Sequence, residues 1–142
     1  MREIKFRGYD KFDKRWVYGY GLHQSIFIDG SSNAYVTAGI REVFIVDKES
    51  AGQYTGCKDV NGVEIYEGDI VRRPAFVDKD CYCKVSKLFG YIEMNSYAWC
   101  VVNKYKNKKH LSPLFIEEEV GKLENIEVIG NIYENKNLLE ED

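Results

Sequence analysis

The sequence predicts an all-β fold, and three observations carry the prediction. The 11 Tyr, 7 Phe and 2 Trp favour the pleated surfaces that β-prone aromatic side chains suit. Apolar residues recur with period two in roughly nine short runs, with no sustained helical period and no internal repeat. Turn-forming residues punctuate those runs at short intervals, as they do in small barrels and sandwiches.

Each element follows in chain order. Residues 2 to 9 alternate, with Ile4 and Phe6 on one side and Glu3, Lys5 and Arg7 on the other, which predicts a half-buried strand. Asp10 to Lys14 reads as a turn. Trp16, Tyr18 and Tyr20 alternate again, so residues 2 to 22 are expected to form a β-hairpin, its far end weakened by Gly19 and Gly21. The turn formers Asp29 to Asn33 separate it from short β-like runs at Tyr35 to Ile40 and Glu42 to Val46. Asn61-Gly62 stands between β-prone segments at Gln53 to Gly56 and Val63 to Tyr66, and both residues tolerate the positive φ of tight hairpin turns.

Glu67-Gly68-Asp69 makes a further turn into a strand at Ile70 to Arg73, ended or pushed to a sheet edge by Pro74. Strands are expected at 81–88, 89–94 and 97–103, followed by an exposed basic loop from Lys104 to Lys109. Ser112-Pro113 reads as the start of a short helix running through Glu117 to Glu119. The near-continuous apolarity from Ile126 to Ile132 predicts a last, centrally buried strand, with Asn135 capping a brief helix at Leu138 and Leu139.

The whole chain of 142 residues has the size of one domain. Its expected layout is an N-terminal β-hairpin lobe over about residues 1–50 and an SH3-like barrel core over about 51–135. A short helix over about 135–141 ends it, so one or two very short helices lie near the C-terminus. The step from Tyr66 to Val71 resembles the way small SH3-like barrels turn into a core strand. With 44% hydrophobic and 30% charged residues, the composition is that of a globular protein without a membrane span. Met1 to Arg7 shows no apolar export segment, so a cytoplasmic location is expected.

Three segments carry a family resemblance: Met1 to Asp10, Gln53 to Val71, and Ile126 to Asn135 running on to Leu139. Together they resemble the YopX family of bacteriophage and prophage proteins. Their signature residues are Gln53, Tyr54, Gly56, Asp59, Asn61, Gly62, Tyr66, Gly68, Asp69, Gly130, Asn131 and Tyr133. The sequence departs from the family at Cys57, commonly Leu, and at Lys136 and Asn137, commonly Pro and Glu. In residues 20–50 and 72–125 no motif of the family can be placed, so no specificity encoded there carries over. The resemblance implies an SH3-like barrel core and a phage or prophage origin, and it implies no activity, since the family's function is uncharacterised.

Chemistry-bearing residues are sparse. Cys81 and Cys83 form the one close pair among Cys57, Cys81, Cys83 and Cys100, and His23 and His110 stand apart, half of the usual structural zinc pattern. Neither histidine sits in a catalytic motif, so no catalytic residue is assigned and no enzyme activity is expected. Asp59, Glu64, Glu67 and Asp69 form the densest acidic group near the signature, but calcium-loop spacing fails and such residues are ordinary beside turns. No metal and no cofactor is expected. The signature itself reads mainly as scaffold, its glycines permitting turns and close strand approach.

Charge is uneven: residues 72–110 carry a net +6 and residues 111–142 a net −7 within an overall −3. Arg72, Arg73, Lys104, Lys106, Lys108 and Lys109 are therefore candidates for phosphate contact, with Tyr105 placed to stack on a base. The alternative is a lysine-rich hairpin tip that blocks unwanted edge pairing. The leading expectation is a non-enzymatic β-barrel binding module acting on another protein or on its own copies. A nucleic-acid-binding accessory protein is the alternative, and an unrecognised hydrolase or metal enzyme comes third.

Overall fold

A computed structural model describes residues 3–74, 87–105, 108–113 and 126–139, and within them it is an all-β protein. The chain divides into two compact units, Met1–Gly56 and Cys57–Asp142.

The first unit is richer than a hairpin. Strands β1 (Phe6–Asp10) and β2 (Arg15–Gly19) form the expected hairpin, with Gly8 opposite Val17 and Tyr9 opposite Trp16. Strand β6 (Gly52–Lys58) adds to β1 through Phe6 opposite Gln53. Strands β3 (Gly21–Ile26), β4 (Ser32–Gly39) and β5 (Glu42–Val46) make a second, antiparallel sheet in the order β3-β4-β5. Val17, Ala34, Val36 and Val46 are buried as one core cluster, with Phe44 packed against it. Gly8 makes that approach possible, because a Cβ there would lie 2.5 Å from Val46 Cγ2.

The facing of the first hairpin departs from its sequence pattern. Val17 and Gly19 are the buried residues of β2, whereas Tyr18 and Tyr20 are exposed and Trp16 is half-buried, so the aromatic stripe is not the core face. Arg7 is buried at 7% exposure, with its guanidinium 4.6 Å from the Trp16 ring, while Ile4 lies outside the strand and exposed. An Arg stem and a delocalised cation over an aromatic face account for that reversal.

The second unit holds β7 (Glu64–Tyr66) and an antiparallel sheet in the order β11-β10-β9-β8-β12. Its strands are β8 (Asp69–Pro74), β9 (Lys87–Asn95), β10 (Ala98–Tyr105), β11 (Lys108–Pro113) and β12 (Glu127–Asn131). The core consists of Ile65, Val71, Ile92, Trp99, Val101 and Ile126, with Val128 packed against it.

Several expectations change here. A single strand, β9, crosses the boundary placed between residues 88 and 89, and residues 81–86 of the earlier expected strand lie outside the described residues. Lys104 and Tyr105 end β10, and Lys108 and Lys109 begin β11, so these four expected loop residues are paired strand residues, while Lys106 and Asn107 lie outside the described residues. Ser112 and Pro113 end β11 in place of starting a helix; Pro is tolerated because β11 is an edge strand and needs no outward N–H. The rest of that expected helix, Glu117 to Glu119 included, lies outside the described residues.

β12 is an edge strand, half-buried at all five positions, so central burial is also overturned. A 3-10 helix does follow at Lys136–Leu139, but the Asn135 side chain does not cap it. Asn135 Oδ1 instead accepts from the N–H of Asn131, 3.2 Å back along the chain.

Candidate functional site

The signature residues between Asp59 and Asp69 form two turns held to β12 and the residue after it. The Asp59 carboxylate is fully buried and accepts three backbone N–H groups, from Asn61 (2.8 Å) and Val63 (2.9 Å) at Oδ1 and from Val128 (2.9 Å) at Oδ2. Val60 N–H also donates to Ile126 O at 2.9 Å. The hairpin expected at Asn61-Gly62 is present, but its turn differs. Only Gly62 has a positive φ, +81°, and Asp59 N–H donates to Val63 O across a three-residue loop. Asp59 dictates that geometry by bonding the turn's own N–H groups, as Asx turns do.

The second turn is built in the same way. Tyr66 N–H donates to Asp69 Oδ2 at 2.8 Å, Gly68 N–H to Ile92 O at 2.9 Å, and Ile132 N–H to Gly68 O at 2.8 Å. Asn131 Oδ1 accepts from Glu134 N–H (2.8 Å) and Tyr133 N–H (3.1 Å), closing the C-terminal signature on itself. A Cβ at Gly130 would meet Asn135 Oδ1 at 2.6 Å, so close approach accounts for that glycine. Tyr54 is buried in the first unit, where its N–H donates to Lys5 O at 2.8 Å. The signature's carboxylates thus organise backbone, and three of Asp59's acceptor positions are already filled.

Of the cysteines, Cys57 is buried and Cys100 half-buried, both as thiols, while Cys81 and Cys83 lie outside the described residues. His23 stacks on Tyr35 at 5.0 Å between ring centroids, a surface pairing across β3 and β4. Among the described residues no group of three or more His, Cys, Asp or Glu could hold a metal ion. Nor is any helix among them long and apolar enough to cross a membrane.

Two surfaces remain. The first is one end of the five-stranded sheet. Antiparallel register places the C-terminal ends of β8 and β10 beside the N-terminal ends of β9 and β11, with Arg73 opposite Leu88, Lys104 opposite Lys109 and Tyr105 opposite Lys108. Arg72, Arg73, Lys104, Tyr105, Lys108 and Lys109 therefore share that end, whereas Lys106 lies outside the described residues. Arg72 is ion-paired with Glu127, its neighbour on β12, a partner 55 residues away that local reading of the sequence does not reach.

The second surface belongs to the sheet β3-β4-β5, and sequence reading missed it. Ile26 (73%), Phe27 (48%) and Ile28 (109%) are consecutive exposed apolar residues at the β3–β4 tip. Val43 and Ile45 are half exposed on β5, the latter directly opposite Tyr35, which in turn faces His23. The signal was available: three apolar residues in a row before Asp29-Gly30 are unusual at a hairpin tip.

No curated protein matches this chain. Among solved structures it is similar to the crystal structure of protein EF1440 from Enterococcus faecalis, at 21% identity over 96% of this chain and 98% of that one, with a TM-score of 0.39. The family model described as YopX protein matches residues 5–140, which contain both signature turns, and the chain belongs to the YopX family.

Proposed function

We propose that this chain is a phage- or prophage-encoded, non-enzymatic module of the bacterial cytoplasm that acts by binding protein. The observation that supports this reading is the exposed apolar run Ile26-Phe27-Ile28, on a sheet that also exposes Val43 and Ile45. An exposed run of three consecutive apolar residues is characteristic of a contact surface. A photo-crosslinking residue placed at Ile28, with a control at the second unit's Lys136, tests it in bacterial cells. A discrete protein adduct from position 28 and none from position 136 supports the reading; equal labelling from both refutes it.

The shared basic sheet end favours a second reading, binding of nucleic acid. Register, not mere sequence proximity, brings Lys104 beside Lys109 and Tyr105 beside Lys108. Trp99 lies in the core, so a labelled oligonucleotide is a better reporter than intrinsic fluorescence. Binding to duplex whose log affinity falls with log salt at about −0.9 per neutralised phosphate supports this second reading, and absence of binding at low salt removes it.

A further inference from the structure

Edge strands offer unpaired backbone groups to other chains, and proteins ordinarily blunt them with charge, proline or a bulge. Among the described residues the edges of this fold follow that rule with one exception. β2 carries Arg15, β5 carries Glu42, β7 carries Glu64, β11 carries Lys108, Lys109 and Pro113, and β12 carries Glu127 and a bulge between Val128 and Gly130. β3, Gly-Leu-His-Gln-Ser-Ile, has no charge, no proline and an unbroken register to β4, its one ladder neighbour among the described residues.

The direction of its backbone groups follows from the tip. Phe27 N–H donates to Ser31 O, so alternation along an antiparallel ladder turns the backbone groups of the odd-numbered β3 residues toward β4. Those of Leu22, Gln24 and Ile26 point to the open edge. The same three side chains lie on one face of the sheet, where Leu22 is 38% and Ile26 73% exposed.

We propose that β3 pairs antiparallel with β3 of a second copy of this chain, about a two-fold axis at Gln24. In that register Gln24 meets its own counterpart, Leu22 of each copy lies opposite Ile26 of the other, and the exposed Ile28 is carried toward the other copy's exposed Tyr20. The two three-stranded sheets become one sheet of six. A second copy is the occupant that fits, for three reasons. An uncharged strand brings no like-charge repulsion to self-pairing, the outward-directed residues are self-complementary about their centre, and apolar residues exposed on one copy meet apolar residues exposed on the other. This rests on the reading of the chain as a protein-binding module and names the partner.

Sedimentation velocity of the full chain over a wide concentration range tests it. The wild type is expected to move from a 16.5 kDa monomer toward twice that mass. Gln24→Lys sets like charges opposite each other and is expected to weaken association by about tenfold or more. Leu22→Lys and Ile26→Glu are each expected to weaken it, and the double variant L22K/I26E to recover it, because each introduced lysine then faces an introduced glutamate across the axis. Circular dichroism melting confirms that each variant is folded. A monomeric wild type, or a dimer indifferent to Gln24→Lys, overturns the self-pairing, as does a double variant no stronger than the singles. Failure here is distinguishable from failure of the broader reading, which the Ile28 crosslink to a different protein decides by itself.

Discussion

Replacing Asp59 with Ala tests whether the family signature is scaffold. The carboxylate is fully buried and satisfies three backbone N–H groups, so its removal strands donors rather than merely deleting contacts. Asn61 and Val63 lie in an exposed turn where water can replace part of the loss, at about 1 kcal/mol each. Val128 N–H lies against the second unit's core, where an unsatisfied donor costs about 1–3 kcal/mol. The expected loss is roughly 3–5 kcal/mol, a large share of the ~5–15 kcal/mol that holds a typical domain together.

The chain has one tryptophan in each unit, so the second unit can be followed by itself. In a Trp16→Phe background the fluorescence of Trp99, buried in the second unit's core, reports urea unfolding of that unit. Asp59→Ala should move this transition to lower urea without changing its slope, and Asp59→Asn should recover part of the loss by keeping one acceptor oxygen. Hydrogen exchange at Val128 should accelerate in both. A destabilisation below about 1 kcal/mol would refute the reasoning, because the N–H groups would then not depend on the carboxylate.

Two smaller predictions are equally direct. Ser96 and Tyr97 both have positive φ, +50° and +69°, in the two-residue β9–β10 turn, and Tyr97 is fully exposed; Tyr97→Gly should therefore stabilise the chain by roughly 0.5–1 kcal/mol in the same urea assay. The Asp29 carboxyl is held below its ordinary value, chiefly by the Ser31 hydroxyl (2.6 Å) and then by the Ser31 N–H (2.9 Å). Its folded value being depressed, the stabilisation it gives is present above the unfolded value and lost as pH falls through the folded one. Ser31→Ala should raise the Asp29 midpoint in an NMR titration.

What could be read from the sequence depended on how local the cause was. The β1–β2 hairpin, the β6–β7 hairpin and the turn at Glu67 to Asp69 were legible because their turn residues and flanking strands sit within a dozen positions of one another. β3 was not distinguished as a strand of its own, since Leu22, Gln24 and Ile26 do not alternate cleanly with polar residues and the chain passes from β2 to β3 with only a bend at Tyr20. The burial of β12 is not legible locally, because continuous apolarity does not tell a central strand from an edge. Its place is set by β8, more than fifty residues earlier. The lysines at 104, 108 and 109 read as a loop by charge alone, although strand ends carry charge as readily as loops do.

This division bears on function. The signature residues that bear carboxylates or turn glycines are occupied in holding two turns to β12, which leaves little of their chemistry facing a partner. Both candidate surfaces lie instead in stretches outside the signature: the sheet β3-β4-β5 in residues 20–50, and most of the basic sheet end in residues 72–113. A fold whose own architecture consumes its motif residues can change those faces without disturbing the turns that hold its strands. On the proposed binding function, specificity is to be sought at β3 and its tip, and at the paired ends of β10 and β11, and not among the signature residues that hold the turns.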